Sequence, residues 1–353
     1  MPQRHRWQPR CARPTGLVRP VRVDPLGLTG PTKAAASGPR WRRTSPGFYV
    51  PVGVSDDLPE QRILEQSMRL PDGGAVTGWA ACRLLGASCF DGRDQDGRTR
   101  LPVPLWVGDL AQLSRDDRFE TLRDRIHPAE LTSRGGIPCA RPVRALFDQA
   151  RKASNVREAV VGVDMMAAAE LVSVQQLRSY LNTVGGVRGV PQVRAAVELA
   201  SEHSRSPGET RTRLVWVLDA GLATPLVNQP VFDRRGNLLG IADLLDPVAG
   251  VVGEYDGADH RSAVRHSRDV DREARLRDAG LEVFRVTGPD LREPGRIVER
   301  IHAARRRALW LAPGQRGWTL ELPPDWPVEL PLHDRLEQRA AHERWERGRP
   351  DAV

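Results

Sequence analysis

The stretch from Asp243 to His260 constrains the fold more than any other, because it sets carboxylates inside apolar strands. It reads Asp243-Leu-Leu-Asp-Pro-Val-Ala-Gly-Val-Val-Gly-Glu254-Tyr255-Asp256-Gly257-Ala-Asp-His260. Two apolar runs flank a turn rich in Pro and Gly, the pattern of an antiparallel hairpin. Side chains alternate across a strand, so Glu254 and Asp256 share one face and Tyr255 takes the other. Closing the hairpin brings Asp243 from the neighbouring strand toward the acidic face. Ionised groups withdrawn from water are costly unless paired, protonated or bound to a cation. Two carboxylates about 4 Å apart repel by roughly 4 kcal/mol at an effective dielectric near 20. A divalent cation removes that penalty, and hard oxygen ligands suit Mg²⁺ or Mn²⁺. The segment reads first as a metal site.

Charge divides the chain. Residues 1–50 hold ten Lys or Arg against Asp24 alone, a surplus of nine, while all 353 residues sum to +8. Residues 51–353 therefore sum to −1, and the basicity belongs to the N-terminal segment. A concentrated basic segment is the footprint of nucleic-acid or acidic-membrane contact, or else a solvated tail. The four cysteines, Cys11, Cys82, Cys89 and Cys139, form no CxxC pair and are expected to be reduced thiols of a cytoplasmic protein. The longest apolar stretch, Val160 to Val172, is broken by Asp164 and Glu170, so no membrane partner is expected.

The expected organisation has five parts. Residues 1–24 are a basic arm rich in Arg and Pro, expected to be mobile. Residues 25–54 are a small winged helix-turn-helix-like unit. It comprises a helix start before Lys33-Ala-Ala-Ala and a basic hairpin from Trp41-Arg42-Arg43 and Gly47-Phe-Tyr-Val-Pro51. Residues 55–203 are a mainly helical scaffold, with helices over 58–70, 75–85, 141–153, 156–166 and 190–200, a helix N-cap at Ser173, and an extended segment at 101–107 that its prolines demote to an edge. Residues 204–310 run α-β-β-β-α-β-α, from a helix opened by Ser206-Pro207 to one over 296–308. Residues 311–353 form a tail rich in Pro and Trp, then charged, read as a surface wrap with a short helix.

The order α-β-β-β-α-β, with Glu209 on the first helix, Asp243 on the second strand and Glu254-x-acid on the third, resembles the PD-(D/E)XK, or restriction-endonuclease-like, superfamily. Glu254-Tyr-Asp-Gly257-x-x-His260, then a basic helix and Val283-Phe-Arg-Val-Thr287-x-x-Asp290, is similar to the very-short-patch-repair-like endonucleases over about residues 205–305. The region before it resembles AbiEi-type antitoxins. The first resemblance implies a metal-dependent DNA endonuclease. Asp243 and Glu254 would be its metal ligands, joined by the Tyr255 carbonyl, and Glu209 would hold a metal-bound water. The family's Lys position carries Asp256, which cannot stabilise developing negative charge as Lys does. It either adds a ligand or leaves the proton to His260, whose unperturbed pKa near 6.5 suits acid/base work. The candidate catalytic set is thus Glu209, Asp243, Glu254, Asp256 and His260.

These residues carry second readings. Ser206-x-x-Glu209 with Pro207 is also a capping box, and the two roles are compatible. Asp243 could pair with an arginine, and His260 could cap or pack. Arg265, Arg268, Arg272 and Arg275 line one face of the following helix. They either hold DNA phosphates, Arg268 and Arg272 foremost, or form a solvated face with Asp269, Asp271 and Glu273. Arg42 and Arg43 on the wing are the other candidate DNA contacts. The rival function is a DNA-binding regulator or antitoxin-like protein on a catalytically silent nuclease fold; for the nuclease, a partner protein that silences its activity is also compatible with the sequence.

Overall fold

A computed structural model describes residues 16–108, 113–114, 116–257 and 263–347, with side chains from 271 to 346 in the last stretch. The arm before residue 16, Cys11 and His260 therefore lie outside the described residues, as do the side chains of Arg265 and Arg268. The chain divides into two compact units. One reaches Gly162 and takes in Ala169–Val197; the other comprises Val163–Ala168 and the chain from Glu198 onward.

The first unit opens with β1 (Val21–Arg22), α1 (Lys33–Ala36), β2 (Trp41–Ser45) and β3 (Phe48–Pro51). The strands form an antiparallel sheet in the order β1-β3-β2. β1 lies in the stretch expected to be mobile. The Gln61 side-chain amide bonds both the N–H and the carbonyl of Val18, at 3.0 and 2.9 Å, and anchors the entry to β1. Thr32 caps α1 through its hydroxyl, which accepts from the Ala35 N–H at 3.2 Å. Residues 25–54 thus carry the basic hairpin and, among the described residues, a single helical turn rather than a pair of helices.

There follow α2 (Pro59–Ser67), β4 (Ala75–Val76), α3 (Gly78–Leu85), β5 (Val103–Trp106), β6 (Phe119–Leu122), β7 (Leu131–Arg134), β8 (Ile137–Ala140), α4 (Pro142–Lys152), α5 (Val156–Ala168, its part from Val163 counted with the second unit), α6 (Val174–Leu181) and α7 (Val190–Leu199). The helices fall near the expected spans, Ser173 capping α6 included, except that α2 stops at Ser67 and Ala75–Val76 of the expected 75–85 helix is the strand β4. The sequence reading did not anticipate the mixed sheet β6-β5-β4-β8-β7 that accompanies them. β5 is an interior strand of that sheet, not the edge its prolines suggested. The Pro104 carbonyl accepts from Thr77 just past the end of the two-residue β4, so the donor that Pro104 lacks falls where β4 has already stopped.

The second unit contains α8 (Pro207–Leu214), β9 (Leu226–Asp233), β10 (Leu238–Asp246), β11 (Val251–Asp256), α9 (Ala263–Asp278), β12 (Glu282–Thr287), α10 (Pro294–Arg307), β13 (Trp318–Thr319) and α11 (Leu332–Arg347). α8 continues through a π-helical turn at Val215–Asp219. The sheet order is β12-β11-β10-β9-β13, antiparallel except for the parallel pair β11 and β12. Short polar residues close both hairpins. Asp233 Oδ1 accepts from the N–H groups of Arg235 and Asn237, and Asp246 Oδ1 from those of Val248 and Ala249. The parallel pair needs a crossover, and α9 supplies it.

Both sheet faces are covered. Leu244, Val251, Phe284 and Val286 pack with Trp216 and with Ile297 and Ile301 of α10. Val231, Leu245, Val252 and Val283 pack with Leu276 of α9 and with Trp318. Full burial of such side chains stabilises by about 1.5–3 kcal/mol each, enough to hold a sheet whose middle is interrupted by acids. In the tail, Trp318 extends the sheet beside β9, and α11 is sixteen residues long, longer than the short helix expected.

Candidate functional site

The ladders on either side of β10 break at Asp243. Pairing with β11 runs from Asp246 to Leu244 and stops, and pairing with β9 skips the position opposite, Asn228. Into the gap goes the Asp243 carboxylate, whose Oδ2 accepts the Tyr255 backbone N–H at 2.8 Å. A side chain thus takes the hydrogen bond that a strand partner would otherwise have made. Burial first, then the charges of Glu254 and Glu209, push the Asp243 carboxyl well above the usual carboxylate range. The three acids from β10, β11 and α8 therefore share one electrostatic environment.

Each acid is held differently. Glu254 is 6% exposed and pairs through Oε2 with Nη2 of Arg272 on α9. The other arm of the Arg272 fork donates to the Ile241 carbonyl at 2.9 Å. Glu209 is buried at the first turn of α8. Its N–H donates to Ser206 Oγ at 3.2 Å, while its Oε2 accepts from the Arg205 N–H at 2.8 Å and from Asn228 Nδ2 at 2.7 Å. Ser206 caps the helix, but the Glu209 carboxylate reaches the Arg205 N–H rather than that of Ser206, so the reciprocal half of the expected capping box is not made. The Glu209 partner Asn228 has φ +49°, the left-handed region where Asn is one of few tolerated side chains. The same Asn228 amide donates to the His203 carbonyl at 2.8 Å.

The structure thus brings Glu209, Asp243, the Tyr255 backbone, Glu254 and Arg272 into one locus. Asp256, which ends β11, is exposed. The Tyr255 ring lies against Gly208, where an added Cβ would fall 2.1 Å from the ring. Arg42 forks onto Glu65 at 2.7 and 3.0 Å and donates to the Val54 carbonyl at 3.1 Å, so a structural pair already engages it. Arg43 is exposed. Cys82, Cys89 and Cys139 are free thiols. Asn228 is not among the residues that the sequence singles out; the signal available is the polar Asn228-Gln229 pair following apolar Leu226-Val227.

Carboxylate oxygens are the ligands that a hard divalent cation takes. As they stand, however, no three or more His, Cys, Asp or Glu side chains among the described residues are gathered to hold a metal. The acids sense one another electrostatically, while Glu254 is turned to Arg272. Among the described residues, no helix is long and apolar enough to cross a membrane. Compared with protein-family models, curated proteins and solved structures, the chain shows no significant match.

Proposed function

We propose that the second unit is a restriction-endonuclease-like domain that hydrolyses DNA phosphodiesters with Mg²⁺ or Mn²⁺, and that the basic N-terminal segment, its hairpin serving as a wing, supplies DNA affinity. One observation carries the reading. Asp243 occupies a break in the sheet where burial, Glu254 and Glu209 together disfavour its charge, an arrangement that only a cation or a proton relieves. Asp243, Glu254 and the Tyr255 carbonyl would hold the metal, which when bound acidifies water and polarises the scissile phosphate.

The protein's own groups do the rest. Glu209, fixed by Asn228 and the Arg205 N–H, orients the attacking water and accepts its proton. Burial by the flanking helices lowers the local dielectric and strengthens these interactions. His260 is the remaining candidate for the leaving-group proton.

Asp243→Ala in the full-length protein is expected to abolish Mn²⁺-dependent plasmid nicking while DNA binding is unchanged or tighter. Nicking by that variant at the wild-type rate would overturn the assignment. The second reading is a DNA-binding regulator with a silent site, and the pairing of Arg272 with Glu254 favours it. It requires salt-sensitive DNA binding with no metal-dependent cleavage in the wild type.

A further inference from the structure

Arg272 reaches the acids by an unusual path. Its aliphatic stem crosses β10 directly over Gly240, where an added Cβ would stand 2.9 Å from Arg272 Cγ and 3.1 Å from Cδ. Gly240 has no left-handed φ to require glycine, so the absence of a side chain there serves the passage of the stem. Beyond Gly240 the guanidinium meets Glu254 Oε2 and the Ile241 carbonyl, and its charge also favours ionised Asp243. The Arg272 side chain keeps 27% of its surface exposed while that of Glu254 keeps 7%, so the arginine has a way out to solvent and the glutamate has none.

From this geometry we infer that Arg272 is the resident cation of the acidic site, occupying Glu254 until a divalent metal ion displaces it. The inference rests on the metal-site reading and adds its regulation. A guanidinium and a divalent ion repel each other across a buried carboxylate, so a metal ion at Glu254 disfavours its pair with Arg272. Without metal, Arg272 pairs with the buried Glu254 carboxylate. With metal, the displaced guanidinium is left at the mouth of the site, where its planar fork suits a phosphate. The neighbouring Arg275 donates instead to the Leu239 carbonyl, at 3.3 Å, and is not aimed at the acids.

Calorimetric titration of Mn²⁺ into the full-length protein tests this, run with thermal melts on wild type, Arg272→Met and Gly240→Ala. Methionine keeps an unbranched stem over Gly240 and deletes the charge. Alanine leaves the arginine and every acid in place and pushes the stem aside. Both variants are expected to bind Mn²⁺ at least tenfold more tightly than wild type. The Arg272→Met melt is expected to fall without metal and recover with it. Equal or weaker Mn²⁺ affinity in both variants would overturn the competition while leaving the metal site standing. Should Arg272→Met fail to fold, Gly240→Ala decides alone. If no protein of the three binds Mn²⁺, the metal-site reading itself fails, and this inference with it.

Discussion

Asn228 shows how a single residue both sets chain direction and holds a buried carboxylate. At φ +49° it interrupts β9 opposite Asp243, and its amide reaches back to the Glu209 carboxylate. Glycine adopts positive φ freely, so Asn228→Gly removes the amide without straining the backbone. Stability is expected to fall by about 1–3 kcal/mol, because the hydrogen bonds to Glu209 and to the His203 carbonyl are lost. Nicking at saturating Mn²⁺ is expected to fall at least roughly tenfold, since a hydrogen bond to a charged group contributes about 1.5–3 kcal/mol. A rate that drops, measured well below the variant's melting temperature, identifies positioning of Glu209. A rate that holds would mean that Ser206 and the Arg205 N–H are enough to fix it. At this scale the sequence was legible wherever a side chain contradicted its surroundings. Asp243 and Glu254 stand out because apolar strands do not otherwise carry acids. The pairing of Glu254 with Arg272 does not stand out, because it depends on α9 crossing Gly240, a relation that no local pattern encodes.

Among the elements, β12 owes its exit to Asp290, one residue of the resemblance that the sequence reading left without chemistry. Asp290 Oδ2 accepts from the N–H and hydroxyl of Thr287 at 2.8 and 2.7 Å, and both oxygens take the fork of Arg300 on α10. Burial alone would raise the Asp290 carboxyl, but the Arg300 pair and the Thr287 donors outweigh it and bring it from 3.8 to about 2. A depressed folded-state pKa contributes stability that is complete above about pH 4 and is lost as pH falls through about 2. Asp290→Asn is therefore expected to lower the urea midpoint at pH 6, with the gap to wild type closing below pH 4. A gap that stays constant with pH would assign the loss to packing instead. The strands of the second unit were legible because they run six to nine residues between Asp- and Gly-bearing turns, apart from the two-residue β13. The first unit's larger sheet was not. Its β4 is two residues long and precedes a helix whose spacing absorbed it, and the prolines of β5 argued for an edge that the shortness of β4 made unnecessary.

For the whole molecule, the charge division sets the test of partner. Arg19, Arg22, Lys33, Arg40 and Arg43 are all exposed in the described part of the basic segment, while Arg42 is engaged by Glu65. The second unit concentrates buried acids at its site, so it cannot attract a polyanion by those groups without a cation present. Affinity and chemistry would then sit on different units, and DNA binding by the first need not depend on metal. Neutralising n phosphate contacts lowers the slope of log affinity against log salt by about 0.9 n for duplex DNA. Replacing the five exposed cations with alanine is thus expected to flatten that slope by up to about 4.5. Nicking at low salt and saturating DNA should persist in this variant if the second unit is the nuclease. An unchanged slope would remove the basic segment as the DNA contact. Loss of the slope together with metal-dependent cleavage absent from wild type would favour the regulator, in which DNA binding is the function and the acids hold Arg272 as part of the fold.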